Sequence, residues 1–137
     1  MTKLLWTLGL IVVLSIASSG VAASAQTASA PEKKWNYHDL MQAPDKAADR
    51  KNPLAADPDA VAAGNKLFAI HCSQCHGDSA EGSHYAPALN VPQVTKAPPG
   101  ALFWLLTNGV VWHGMPVWSK LPEPQRWQLI SYIKTLK

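Results

Sequence analysis

Two cysteines three positions apart, with a histidine directly after the second, constrain this chain more than any other feature: Cys72-Ser73-Gln74-Cys75-His76. They are the only two cysteines in the sequence. A disulfide between them would close a loop too short to stabilise much. A redox dithiol calls for a low-pKa thiol at a helix N-terminus beside a strand-rich βαβ unit. Here the pair follows a helical pattern and no strand pattern precedes it. A zinc site needs further ligands nearby, and only His71, His76, His84 and His113 are on offer. One reading uses all three side chains. Two thiols at this spacing reach the two vinyl groups of one haem as thioethers, and the adjacent imidazole comes under the iron; C-x-x-C-H is the c-type haem attachment pattern. The expectation is one covalent haem c on Cys72 and Cys75, with His76 as the proximal iron ligand.

A second axial ligand is then the question. Apart from Met1, the chain has Met41 and Met115. Met115 follows His76 by 39 residues in Gly114-Met115-Pro116, where the proline keeps the methionine out of a helix. A thioether favours the reduced metal and raises the potential. Met115 is therefore the expected distal ligand. His113 is the alternative, with a lower potential, and a plain packing role for Met115 is the other. Met41 falls in an irregular stretch.

The rest of the chain is read around that site. Residues 1–25 have the three parts of a secretory signal. Lys3 gives a positive tip, Leu4 to Ala17 an apolar stretch, and Ala23-Ser24-Ala25 a small-residue exit. The apolar stretch is shorter than the roughly 20 residues of a membrane span. A cleaved signal and a periplasmic location are expected, with an uncleaved anchor on the periplasmic side as the alternative. Residues 26–56 form an extension carrying Pro31, Pro44 and Pro53, and the folded domain is expected over 57–137. After residue 25 the chain has eleven basic and nine acidic residues, and no Lys or Arg run exceeds two. Nucleic acid is excluded as a partner on that count.

Within 57–137 the elements are short. Asp57-Pro58-Asp59 is a helix start, with a cap, a first-turn proline and an acidic residue at the positive end of the dipole. Val61, Gly64, Leu67, Phe68 and His71 carry the period on, so a helix is expected from Pro58 to about His71. Residues 77–99 are rich in Gly and Pro and read as a loop long enough to need a large prosthetic group for support. A second helix is expected from Gly100 to Asn108, stopped at Gly109. A last one starts near Pro122 or Pro124 and ends at Leu136, with Trp127, Leu129, Ile130, Ile133 and Leu136 apolar and Tyr132 at the edge. No segment alternates as a strand would. The fold class is all-α, three to four short helices wrapped around one haem.

These residues resemble class I cytochromes c, monohaem proteins exported by bacteria, over nearly all of Asp57 to Lys137. Gly64, Phe68, Cys72, Cys75, His76 and Gly77 stand as that family's first helix and attachment site do. Tyr85-Ala86-Pro87-Ala88-Leu89 looks like its proximal loop, and the resemblance implies that the Pro87 carbonyl holds His76. Gly109, Met115-Pro116 and Trp118 look like the axial-methionine loop. Trp127 and Tyr132-Ile133 look like the face of the last helix that crosses the first at Gly64 and Phe68. Lys51-Asn52-Pro53 looks like a segment preceding this domain in small cytochromes associated with periplasmic dehydrogenases. Trp112 and His113 depart from the pattern, in positions the family often fills with small or polar residues.

The implied role is one-electron transfer from a periplasmic dehydrogenase or membrane donor to a terminal oxidase or another cytochrome. With both axial positions filled there is no open coordination site. No nucleophile or carboxylate pair is set out for catalysis, so neither an enzyme nor a small-molecule substrate is expected. Two alternatives stand beside the free carrier: a cytochrome subunit bound in a dehydrogenase or oxidase complex, and a haem-based gas sensor in which Met115 is displaced. Expressed with periplasmic haem-attachment machinery, the protein should stain for haem on a denaturing gel. Replacing both cysteines by alanine should abolish the stain and leave the domain poorly folded, because a small domain relies on the haem to complete its interior.

Overall fold

The structure, a computed structural model, describes residues 35–137, with Leu40 and Met41 by backbone alone. The expected signal at 1–25, its exit at Ala23-Ser24-Ala25 and the first part of the extension lie outside the described residues. The same holds for the Met41 side chain.

Six helical segments follow one another: α1 (Asp45–Ala48), α2 (Pro58–His71), α3 (Ser73–His76), α4 (Pro92–Thr95), α5 (Pro99–Asn108) and α6 (Glu123–Ile133). Two 3-10 turns, His38–Gln42 and Val111–His113, complete the set. The fold is all-α, but six helices exceed the three to four expected. The surplus consists of α1, α3 and α4, each a single turn of four residues. Each closes on a few backbone bonds, such as Ala48 N–H to Pro44 O at 2.9 Å, His76 N–H to Cys72 O at 2.9 Å and Thr95 N–H to Val91 O at 2.9 Å. Four residues are too few to show a period, so such turns are invisible to pattern reading.

The three longer helices fall where the sequence signals put them. In α2 the Asp57 carboxylate accepts from the Asp59 backbone N–H at 2.9 Å, and Pro58 opens the first turn. Helix α5 ends at Gly109, with φ at 67°. Helix α6 ends at Ile133, three residues before Leu136, and Lys134 Nζ donates to the Ala97 carbonyl at 2.7 Å. Among the described residues there is no named strand. Val110 and Met115 form one isolated antiparallel bridge.

Helices α2 and α6 cross face to face, and the crossing explains the glycine in α2. A Cβ on Gly64 would run into the Gln128 backbone carbonyl and lie 2.8 Å from Tyr132 Cβ. The family resemblance implies Trp127 and Tyr132 for this contact; the backbone at Gln128 takes the place of Trp127. Trp127 turns inward and stacks on Phe103 of α5, 4.2 Å between ring centroids. Phe68 of α2 meets Tyr132 at 5.3 Å. The core is Phe68, Ala80, Val94, Leu102, Phe103, Leu106, Trp127, Leu129, Ile130 and Ile133.

The described part of the extension packs onto this body. Asn52 is buried, and its amide donates to Ser131 Oγ at 2.9 Å and to the Trp127 carbonyl at 3.2 Å. Its Oδ1 accepts from the Leu54 N–H at 2.9 Å, so the buried amide is well satisfied. Arg50 lies over the Phe103 ring at 4.4 Å and reaches Glu123 at 2.7 Å.

Gly64→Ala should lower the stability of the holoprotein. The added methyl gains about 1 kcal/mol in helix propensity, whereas overpacking costs about 1–3 kcal/mol. The clash is with backbone rather than a movable side chain, so the upper end applies and a net loss of about 2 kcal/mol is expected from denaturant titration. A variant as stable as wild type would show that the crossing is looser than drawn.

Candidate haem-attachment site

Helix α2 delivers the attachment motif. Cys72 ends it, with its N–H on the Phe68 carbonyl at 2.8 Å, and α3 turns the chain so that Cys75 and His76 follow within one turn. Both thiols are free. Burial, together with the neighbouring Cys75, pushes the Cys72 thiol up to about 11. That is the reverse of the acidified thiol a redox dithiol needs. Among the described residues no three His, Cys, Asp or Glu side chains gather to hold a metal ion. The zinc reading has no ligand set.

His76 is half-buried, and its Nδ1–H donates to the Pro87 carbonyl at 2.8 Å. That bond fixes the tautomer and leaves the Nε2 lone pair free. Burial lowers the imidazole pKa, and the carbonyl bond partly offsets the effect. A neutral, oriented imidazole is what an iron ligand requires.

The loop carrying Pro87 is built from backbone bonds, several of them to Ser83. Ser83 Oγ donates to the Cys75 carbonyl at 2.6 Å and accepts from the N–H groups of Tyr85 and Ala86 at 3.1 and 3.2 Å. Gly82 N–H returns to the His76 carbonyl at 2.7 Å, and Leu89 N–H to the Ala80 carbonyl at 2.7 Å. Ala80 is fully buried at a φ of 60°. The sequence marked this stretch as loop, yet it is tied at nearly every other residue. Ser83 was missed; a serine two residues before an aromatic-Ala-Pro run is a common enough arrangement that only the folded loop shows its role.

Met115 sits at the end of a second tied loop. Val110 and Met115 exchange both backbone bonds, at 3.0 and 3.1 Å, around the 3-10 turn of Val111–His113. The Trp118 N–H closes onto the Leu106 carbonyl at 2.9 Å. Met115 is half-buried and packs against the same core cluster as Cys72 and Leu89. Gly109 allows the loop to lie close: a Cβ there would be 2.8 Å from the Pro116 carbonyl, and its φ of 67° disfavours any other residue. His113, the alternative ligand, hydrogen-bonds Asp39 through Nδ1 at 3.0 Å. His71 packs on Trp118 at 5.3 Å, and exposed His84 meets the edge of Tyr85.

The residues fit a haem c. Two unpaired thiols stand three positions apart in the chain, an oriented neutral imidazole follows, and a thioether packs on the same cluster as Cys72. None of these side chains is committed to a competing disulfide or ion pair.

Comparisons with known proteins agree in kind. Residues 59–133 match the family described as cytochrome c oxidase, cbb3-type, subunit III. Over 36 residues the chain is 56% identical to the cbb3-type cytochrome c oxidase subunit CcoP of Rubrivivax gelatinosus. That stretch covers 26% of this chain and 12% of that protein. The crystal structure of cytochrome cL from the marine methylotroph Methylophaga aminisulfidivorans superposes with a TM-score of 0.54 at 23% identity. The match covers 78% of this chain and 71% of the other, and it speaks for the fold.

Gly109→Ala should disturb the Met115 loop without unfolding the helices. With φ at 67° and ψ at −177°, Gly109 lies in a region essentially confined to glycine, and forcing a Cβ there costs about 1–3 kcal/mol. The oxidised holoprotein should then show a weaker far-red sulfur-to-iron absorption band at unchanged helical circular dichroism. Met115→Ala should lose the band, whereas a wild type lacking it, with a spectrum altered by His113→Ala, would point to two histidine ligands.

Proposed function

The chain belongs to the cytochrome c oxidase, cbb3-type, subunit III family, and from that premise we propose that it serves as an electron-transfer subunit of an oxidase complex. It is a c-type cytochrome domain with covalently bound haem c, it works in electron transport, and it catalyses no reaction of its own. The free periplasmic carrier that the sequence alone puts first gives way to the bound subunit. The observation that carries this is the family match over residues 59–133, from the first turn of α2 to the end of α6. The name of the Rubrivivax relative, itself an oxidase subunit, points the same way.

In this reading Cys72 and Cys75 hold the ring, and His76 and Met115 supply the axial ligands. The haem, when bound, supplies a one-electron couple at its iron. The chain's own part would be to hold His76 and Met115 in place as the ligands of that iron. The Pro87 carbonyl fixes the His76 ring by accepting its Nδ1–H, and the two bonds between Val110 and Met115 hold the Met115 backbone. A soft sulfur ligand favours the reduced state and sets the potential high enough for an oxidase-side acceptor. With both axial positions filled from within the chain, no site for substrate remains. The donor is proposed to be a dehydrogenase or membrane carrier, and the acceptor the oxidase.

The surface suits a held partner. Tyr85, Val111 and Trp112 are 78%, 63% and 79% exposed, and all three lie on the loops that carry Pro87 and Met115. From Asp57 onward there are six basic and five acidic residues, too even for long-range steering. Among the described residues no helix is long and apolar enough to cross a membrane. An uncleaved N-terminal segment, reaching span length only when Leu4 to Ala17 is extended to Ala23, is the proposed means of keeping the domain at the periplasmic face of the membrane.

An affinity-tagged chain should co-purify from detergent-solubilised membranes with the other oxidase subunits. It should stay with them through a high-salt wash, since few charges are there to be screened. Recovery of all the haem-stained chain in the soluble periplasmic fraction would restore the free carrier. Rapid carbon monoxide binding to the reduced protein at neutral pH would instead support the sensor.

A further inference from the structure

One short stretch of the extension touches both ligand-bearing loops. Tyr37 Oη donates to the Ala88 carbonyl at 2.9 Å, one residue beyond the Pro87 carbonyl that holds His76. Two residues later, Asp39 Oδ2 accepts from His113 Nδ1–H at 3.0 Å, two residues before Met115. The 3-10 turn of His38–Gln42 begins between them, so the two side chains have a fixed spacing. Its start is held by the His38 N–H on Asn36 Oδ1 at 3.1 Å.

The backbone at Tyr37 has a φ of 51°. A bulky aromatic residue in the left-handed region is an outlier, and it persists where the surroundings over-determine it. What the strained turn achieves here is to aim the phenol at one loop and the next carboxylate at the other. Burial pushes the Tyr37 phenol pKa up, so the hydroxyl remains a donor. The Asp39 bond needs only an Nδ1–H on His113, which both the imidazolium and one neutral tautomer provide.

We propose that Tyr37 and Asp39 are positioning residues that clamp the proximal and distal loops to each other, holding Met115 on the iron against displacement by an outside ligand. This rests on His76 and Met115 being the axial ligands. Two loops that are otherwise joined through the core are thereby also joined across their outer ends, by an element that belongs to neither. Opening of the Met115 loop has to break the Asp39 bond, and that bond is firm only while Tyr37 anchors the turn to Ala88. The clamp would make the domain a closed electron-transfer centre rather than a ligand-binding one.

The test uses the oxidised holoprotein and imidazole as the incoming ligand. At saturating imidazole the binding rate reports how often the Met115 loop opens. Asp39→Ala should speed that rate about fivefold, the change that one hydrogen bond carries, and Tyr37→Phe should act in the same direction. The double variant should fall short of the product of the two, because a clamp released at one end no longer holds at the other. Asp39→Asn keeps an acceptor oxygen and should restore most of the wild-type rate. Gln42→Ala removes an exposed contact in the same turn that reaches neither loop, and it should behave as wild type. Singles with the wild-type rate, or single effects that multiply in the double, would overturn the clamp while leaving the ligand assignment intact. A wild type without the far-red sulfur band would overturn the assignment, and the clamp with it.

Discussion

The crossing of α2 over α6 at Gly64 orients everything that follows it in the chain. Because the Gln128 backbone lies directly on Gly64, the two helices have almost no freedom to slide or separate. Phe68 and Tyr132, one turn further on, secure the angle. The attachment motif is the direct continuation of α2, so the position of Cys72 relative to the core is decided by a contact two turns upstream. A side chain at residue 64 would move the helix axis, and with it the cysteines and His76. The glycine costs helix propensity locally and yields a defined origin for the site.

Beyond that crossing, the site is organised by backbone bonds in loops rather than by regular structure. Residues 77–91 and 109–118 have few repeating contacts, yet their polar groups are paired: Ser83 with three backbone groups, Ala80 with Leu89 and Asn90, Val110 with Met115, Trp118 with Leu106. Buried backbone groups left unpaired would be costly, so these loops have little choice of conformation once the helices are set. Their common result is to bring a carbonyl under one imidazole nitrogen and a thioether to the same core cluster.

Features that repeat or punctuate were legible in the sequence. Asp57-Pro58-Asp59 announced α2, Gly109 ended α5, and the C-x-x-C-H spacing named the chemistry before any geometry was known. Residues whose role comes from a distant partner were not. Asn52 is one polar residue in an irregular stretch until Trp127 and Ser131 are brought beside it. Asp39 and His113 are 74 positions apart, and no local pattern ties them. His113 reads as a candidate iron ligand from its residue type alone, whereas its carboxylate partner is visible only in the fold. The single-turn helices α3 and α4 escaped for a related reason: four residues carry no period, and proline announces a start without announcing a length.

The extension has its own logic within this arrangement. Its described residues bury Asn52, lay Arg50 over Phe103 and Trp127, and set Tyr37 and Asp39 against the two loops. Each of these contacts falls on an element of the haem-binding body, so chain that would otherwise be ordered at a loss recovers its entropy cost from several partners. A carrier that meets its partners by diffusion needs only an exposed edge. A subunit that stays with one partner also has to keep its ligand loops from yielding to the pressure of a permanent apolar interface, which is larger and more hydrophobic than a transient redox contact. Exposed Val111 and Trp112 lie in the turn whose next residue, His113, is held by Asp39. Bracing that turn from the side would let its apolar tip carry a contact without the strain reaching Met115.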